Sequence, residues 1–443
     1  MTIFHKTIFT GLAPNLTGRD TRTALTYLFL PWRWLKISSG KYAGLAEKKL
    51  REYFNVKHAN VFDSGRSALY YALKALGADP GDEILVQAYT CVVVINAIKF
   101  TGAKPIFIDI GDDFNMSPES LASRVTPKAK ILIIQHTFGL PARLQELLTI
   151  AKRHNLKIIE DCAHSLGARY NGKLTGTFGQ IGMLSFGSDK IISCARGGAL
   201  LTDDEAIGEK IKALALSLKR PNLLKTVQHL LHYPIFYIAK PIYHLYIGKI
   251  ILILAKKLNI FNKIIYKPEK AGERVNFYPA KLPNSLAHIL CKQIDEIDEL
   301  NRHRQTIAKF YNNFFCHFDP ERKEGEKSLI PAIQTVKGFL ANTRNDNSQT
   351  TCVFLRYPIL VNLPKGLMAF AKKHGIILGD WYNCVIAPCD SDQNKTGYVP
   401  GSCPNAENLA ARSVNLPTGR QISEKQARKI VKVINSFETY EKK

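Results

Sequence analysis

The sequence predicts an α/β protein: an open, mostly parallel sheet flanked by helices on both faces, followed by a smaller C-terminal α+β domain. Three observations carry that prediction. Short, continuously apolar runs that end in polar residues recur along the first half, as strands covered on both faces do. They alternate with longer stretches of helical periodicity, the pattern of parallel crossovers. Beyond residue 276 this alternation gives way to long amphipathic helices and a closing mix of strand and helix. At 443 residues the chain exceeds one usual domain, and it divides into an N-terminal arm (1–40), a large domain (41–300) and a small domain (301–443).

Hydrophobic residues make up 46% and charged residues 22%, the composition of a globular protein with ample core. Sixty-one Lys and Arg against 37 Asp and Glu give a net charge of +24, which favours anionic partners: nucleotide-linked substrates, phospholipid or nucleic acid. No nucleic-acid-binding motif is legible, so no specific nucleic-acid partner is expected. Nine cysteines are scattered without a C-x-x-C pair, so neither a zinc ribbon nor a disulfide framework is expected, and no metal. A reducing, cytoplasmic compartment follows. The start, MTIFHKTIFTGLAPN, lacks a charged segment leading into a sustained apolar core, so no signal peptide is expected.

In the arm, Tyr27–Leu35 (YLFLPWRWL) is apolar and aromatic around Arg33. Packing on the protein's own surface is the expectation, with a dimer partner or a membrane interface as alternatives. A helix from Tyr42 precedes a strand at Ala59–Phe62; Asp63-Ser64-Gly65-Arg66-Ser67 then opens a helix over Ser67–Leu76. Such a glycine-containing turn at a helix N-terminus presents free N–H groups and can cradle phosphate, although many joints like it bind nothing. Strands are expected at Glu83–Gln87, Lys104–Ile108 and Ile131–Gln135, with helices at Val92–Phe100, from Ser117-Pro118, and at Pro141–His154.

Asn155–Thr202 is the stretch that the rest serves. Lys157-Ile158-Ile159 ends in Glu160-Asp161, and Ile181–Phe186 ends in the run to Lys190. One carboxylate and one lysine thus stand just past strand ends, where open parallel sheets place their sites. The pair suits pyridoxal phosphate (PLP), whose aldehyde needs an amine and whose ring nitrogen needs an anion. Taken singly, a lysine there is usually solvated and an aspartate is commonly a helix cap.

After the helix Glu205–Leu218, Pro221–Lys270 is more apolar than a surface insertion should be, yet too short and too punctuated by lysine for a transmembrane span. Lys249, Lys256 and Lys263 recur every seven residues, on one helical face. A basic, aromatic-rich element lying in a bilayer surface fits, and so does a helical insertion buried in an oligomer interface with snorkelling lysines. The presence of one acidic residue, Glu269, tilts the reading toward the membrane. One long helix is expected over Asn284–Phe315, a polar loop over 318–350, a strand at Val353–Val361, helices at Leu367–His374 and Asn405–Arg412, and a last helix opened by the capping box Ser423-x-x-Gln426.

The run EDCAHSLGARYNGKLTGTFGQIGMLSF, with Lys190 and Gly197-Gly198 after it, closely resembles the DegT/DnrJ/StrS family of fold-type-I, PLP-dependent sugar aminotransferases. More weakly, the resemblance extends from about Gly40 to the C-terminus. It implies that Lys190 carries PLP and shuttles the substrate proton, that Asp161 keeps the ring nitrogen protonated, and that His164 meets the ring. Ser185 and the loop Gly65–Arg66–Ser67 would hold the phosphate, with Arg66 in place of the usual threonine. Cys91 stands where the family stacks an aromatic on the ring, so either the cysteine packs that face or Tyr89 moves in. Pro279-Ala280-Lys281 replaces the family's Asn-Tyr-Arg, leaving Lys281 as the cation toward a neighbouring subunit. The implied reaction moves an amino group from an amino acid, with glutamate expected, to a nucleotide-linked keto sugar for cell-surface polysaccharide or glycoconjugate synthesis, in a homodimer. Two other readings remain open. A PLP-dependent sugar dehydratase of this fold loses the lysine, which Lys190 opposes. A degenerate, non-catalytic membrane-associated binding protein fits Cys91, Arg66, Pro279 and the charge, but not the joint presence of Asp161, His164, Ser185 and Lys190.

Overall fold

The computed structural model describes residues 6–260, 263–315, 333–334 and 349–441. Its centre is a seven-stranded sheet: β1 (His58–Phe62), β2 (Glu83–Gln87), β3 (Lys104–Ile108), β4 (Ala129–Gln135), β5 (Lys157–Asp161), β6 (Ile181–Ser185) and β7 (Gly198–Thr202). Their spatial order is β1-β7-β6-β5-β4-β2-β3, and only β7 runs antiparallel to its neighbours. Strands β4 to β6 are buried along most of their length, with apolar centres and polar ends, because helices cover both faces. Register aligns Gln135 with Asp161 and Asp161 with Met183, so the carboxyl ends of β4, β5 and β6 finish at one edge. The site forms beyond that edge.

Helix α1 (Gly18–Phe29) belongs to the N-terminal arm, and α2 (Gly65–Ala75) follows β1. Serine chemistry starts α2: the Ser64 side chain accepts from the Ser67 N–H. The insertion folds as α3 (Leu223–Ala239) and α4 (Ile247–Lys257), with Asn222 capping α3. Gly248 lets the two helices meet, since a Cβ there would fall 2.0 Å from the Ala239 carbonyl oxygen. The start of α1 lies against the end of α3, where Tyr237 covers Gly18. Ala24 and Tyr27 of α1 share a core with Leu230 and Tyr233 of α3. A small three-stranded sheet, β8 (Ile333–Gln334), β9 (Tyr357–Val361) and β10 (Ser413–Leu416), completes the C-terminal part.

Several expectations need correction. The helix expected over Asn284–Phe315 is two, α5 (Asn284–Ile294) and α6 (Ile297–Phe315), broken at the point where Glu296 is held by Arg19 and Arg420. Residues 353–355 are not strand: Val353 and Leu355 donate instead to the Gly139 and Phe138 carbonyls, at 3.0 and 2.8 Å. The loop expected over 318–350 lies outside the described residues, apart from β8 and residues 349–350. Own-surface packing holds for Tyr27, whose hydroxyl meets His288 Nδ1, but Phe29, Trp32, Trp34 and Leu35 stand exposed. Lys263 does not share a helical face with Lys249 and Lys256, because α4 ends at Lys257. A disulfide, Cys384–Cys389, closes a tight loop that no C-x-x-C spacing announced; its Cα atoms are 5.7 Å apart. The capping box stands as expected, with Ser423 and Gln426 bonded reciprocally ahead of the helix α7 (Glu424–Glu441).

Candidate active site

Beyond β4–β6 opens a cavity of about 220 Å³. Of the residues singled out from sequence, Gly65, Arg66, Cys91, Asp161, His164, Ser185 and Lys190 all line it. Ser67 does not: its hydroxyl faces Ser64 Oγ at 2.9 Å.

Asp161 leaves the end of β5 with 3% exposure, and one carboxylate oxygen accepts the Ala163 N–H at 3.0 Å. Burial pushes its carboxyl up from the ordinary value; the Ala163 N–H and the charge of Lys190 pull against that. Its neighbour Glu160 points the other way, into a nest of donors. The N–H groups of Gly176, Phe178 and Gly179 approach at 2.8, 2.6 and 2.9 Å, and His136 Nε2 lies 3.2 Å away. His136 Nδ1 accepts the Ala142 N–H, so Nε2 carries the hydrogen that Glu160 accepts. Cys162 lies close to this pair. With its oxygens taken by four donors, Glu160 is a fixed structural anion rather than a metal ligand.

Lys190 follows β6 through Gly187, whose carbonyl accepts the Lys190 N–H at 3.1 Å. Its ammonium lies 4.7 Å from the Trp381 ring centroid. The backbone around Lys190 is tied to the arm: the Asn15 amide donates to the Ile191 carbonyl at 2.7 Å and also to that of Lys190. Asn15 is held in turn by Arg304, a buried guanidinium at 2.9 Å. His164 lies nearly parallel to Trp381, at 5.4 Å and 19°. Its Nδ1 accepts the Phe138 N–H and its Nε2 meets the Tyr382 hydroxyl, both at 3.4 Å. Burial, then the charges of Lys190 and Arg356, hold its pKa well below the ordinary histidine value, so it is a neutral ring.

The glycine turn behaves as a cradle. A Cβ on Gly65 would lie 2.9 Å from Ser185 Oγ, and one on Gly198 would lie 2.5 Å from the Gly65 nitrogen. Only glycine allows β7, β6 and the start of α2 to close this far. The N–H groups of Gly65 and Arg66 precede the first intrahelical bond, which Ala68 donates to Ser64, so they face the cavity wall unspent. Arg66 differs from expectation. Its guanidinium turns away to Glu269 and to the Ile264 carbonyl, 2.7 Å from the latter, because the insertion supplies a buried carboxylate there. Tyr89 is also not a ring-face partner: it is fully buried, with its hydroxyl between Ser413 and the Tyr382 N–H at 3.2 and 2.9 Å.

Sequence reasoning missed Trp381, Tyr382, Arg196 and Asn15. The first two come from the C-terminal part of the chain, about 190 positions beyond Lys190, and no local spacing links them to it. Arg196 was within reach, two residues before the Gly198 that packs on α2.

Residues 30–230 and 254–435 match the DegT/DnrJ/EryC1/StrS aminotransferase family. The chain belongs to this family. Its relatives include the GDP-perosamine synthase of Escherichia coli O157:H7, 37% identical over 199 residues, covering 44% of this chain and 54% of that protein. The chain therefore spans about half the length of the perosamine synthase it matches. The "Pleiotropic regulatory protein" of Geobacillus stearothermophilus is 26% identical over 402 residues and 90% of both chains. The "Spore coat polysaccharide biosynthesis protein SpsC" of Bacillus subtilis (strain 168) is 35% identical over 184 residues, 41% of this chain and 47% of that one. Among solved structures, Helicobacter pylori PseC, an aminotransferase of pseudoaminic acid biosynthesis, superposes with a TM-score of 0.70 at 20% identity, covering 98% of this chain and 100% of that one. The fold is that of the fold-type-I aminotransferases, and the family's cofactor is PLP.

The cavity fits that cofactor. It presents a lysine amine, a buried carboxylate, a neutral histidine beside an indole, and a helix N-terminus whose glycine cradle a Cβ would fill.

Proposed function

We propose that this chain is a PLP-dependent aminotransferase that moves an amino group from an amino acid, glutamate foremost, to a nucleotide-linked keto sugar in polysaccharide or glycoconjugate synthesis. The carrying observation is that Lys190 and Asp161, from different strand ends, line one cavity closed at its far side by the start of α2. When bound, PLP supplies an aldehyde that exchanges amines and a protonated ring that takes up electron density. Asp161 would hold the ring-nitrogen proton; burial raises its carboxyl, and the Ala163 N–H and the charge of Lys190 oppose that rise. Lys190 would anchor the aldehyde carbon and then carry the proton between substrate carbon and cofactor. The Gly65 and Arg66 N–H groups and Ser185 would seat the phosphate at the helix N-terminus. Trp381, packed on His164, would supply the flat surface beside the ring that no aromatic at position 91 provides.

The test is spectroscopic. Wild-type protein mixed with PLP should gain a visible absorption band that glutamate bleaches, and Lys190→Ala should gain none. A wild-type protein that stays colourless with PLP in excess would sink the reading in favour of a degenerate binding protein.

The reading extends to assembly and place. The enzyme works as a homodimer, on the cytoplasmic side, with the insertion resting on an anionic membrane surface. Support comes from the exposed apolar residues of α3 and α4, including Ile238, Ile247, Ile250, Ile253 and Leu254, beside Lys249, Lys256 and Lys257. The one carboxylate of the segment, Glu269, is 2% exposed and bound to Arg66, so it does not oppose such a surface. Among the described residues no helix is long and apolar enough to cross a membrane.

A further inference from the structure

Arg196 is the part of the cavity that the reading above leaves unused. It is 4% exposed, yet its Nε and Nη2 have no hydrogen-bond partner among the described residues. A buried guanidinium in that state is costly unless something else completes it. It lines the cavity, and its Cζ lies 4.6 Å from the Tyr278 ring centroid, 5.4 Å from Phe277 and 5.6 Å from Tyr266. Lys225 of α3 reaches two of the same rings, with Nζ 4.8 Å from Phe277 and 5.2 Å from Tyr266, and bonds Gln228 at 3.1 Å. Lys263, between α4 and Tyr266, lines the cavity with Arg196. The three cations feel one another: burial first, then Lys263 and Arg196, push the Lys225 ammonium down from its ordinary value.

The carboxylates nearby do not cancel this charge. Glu269 accepts from Arg66, from the Tyr278 hydroxyl and from the Tyr266 N–H. Burial pushes the Asp63 carboxyl up, and the charge of Arg196 pulls it back down. Arg66, Arg196, Lys225 and Lys263 thus face two carboxylates, one of them already paired.

We propose that Arg196, Lys225 and Lys263 form a diphosphate subsite on the insertion side of the cavity, seating the carrier of a sugar that arrives as a diphosphate ester. The proposal rests on the aminotransferase reading and locates the substrate's carrier within it. A guanidinium fork braced by three rings suits phosphate oxygens on two sides, and the lysines add point charge from a separate element. The diphosphate has two chemical sources, a nucleotide and a polyprenyl lipid. Ile264, half exposed, belongs both to the cavity wall and to the apolar surface of the insertion, so either carrier has a path.

The experiment is isothermal titration of the full chain, with and without PLP, using inorganic diphosphate, GDP, and a polyprenyl diphosphate in neutral vesicles. Arg196→Gln and the double variant Lys225→Gln/Lys263→Gln should each weaken diphosphate binding at least about tenfold, Arg196→Lys less, and Lys249→Gln/Lys256→Gln not at all. GDP binding tighter than inorganic diphosphate marks the nucleotide carrier; a tighter polyprenyl diphosphate marks the lipid. The subsite is overturned if wild type binds none of the probes or if the variants bind them as wild type does. It is also overturned if Arg196→Gln loses the PLP band while Lys225→Gln/Lys263→Gln keeps diphosphate binding, since Arg196 then serves the cofactor. A wild type that binds diphosphate but never takes up PLP leaves the subsite standing and removes the aminotransferase reading.

Discussion

At the residue scale, two adjacent carboxylates do different work. Asp161→Asn keeps shape and hydrogen-bonding capacity but cannot hold a ring proton as an anion. Its PLP band should therefore persist while kcat falls about a hundredfold or more, as read by steady-state assay beside an absorption spectrum. Glu160 answers in stability instead. Burial raises its carboxyl, but the His136 hydrogen bond and the glycine N–H groups more than offset that and hold it below its ordinary value of 4.5. A carboxyl depressed in the folded state stabilises above the unfolded pKa, and that stability is lost as pH falls through the folded one. Urea midpoints should accordingly drop below about pH 4.5 for wild type, and Glu160→Gln should start about 2 kcal/mol lower with a flatter acid limb. The sequence made Asp161, His164, Ser185 and Lys190 legible, because they sit in one short stretch at strand ends. It did not show where the Arg66 guanidinium goes, because the carboxylate that captures it lies about 200 positions away.

At the scale of elements, the sheet was the easiest part to read. Six of its seven strands are short apolar runs whose ends shift by a residue or two, where the hydrogen-bond ladder stops; β7, the antiparallel strand, was not expected. The breaks were harder. Periodicity runs unbroken from Asn284 to Phe315, while the chain turns at Glu296, held by two arginines remote in sequence. The insertion offers an element-level prediction. Lys249, Lys256 and Lys257 lie on α4 away from the cavity, each contributing on the order of 1 kcal/mol toward an anionic surface. Changing all three to glutamate should abolish co-sedimentation with anionic liposomes while leaving the PLP band intact, and added salt should imitate the change. Wild type that ignores liposomes and dissociates when α3–α4 is deleted would make the insertion an oligomer interface instead.

At the scale of the whole molecule, the arm is part of the active-site frame. Asn15 bridges Arg304 of α6 to the carbonyls behind Lys190, so the first residues, the last third of the chain and the lysine move together. Asn15→Ala removes the partner of Arg304 Nη2, whose Nη1 keeps Leu355 and Thr418, and takes a donor from the Lys190 and Ile191 carbonyls; it should cost about 1–3 kcal/mol in thermal or urea unfolding. The proposed homodimer predicts a single sedimentation boundary near twice the chain mass of 49.7 kDa; a fully active monomer would contradict it. The alternation of Glu160 and Asp161 along β5 has a further consequence for how such a chain can change over time. Side chains on a strand repeat every second residue, so sliding β5 by one position would either carry the chemical carboxylate to the donor nest or bring the structural one to the cavity, and in both cases leave the other without its site. Single-residue insertions or deletions in the lead-in at His154–Leu156 therefore threaten catalysis and folding at once, whereas the exposed connection between α3 and α4 has no such phase to keep. Length variation in a set of descendants should gather at the second place and avoid the first.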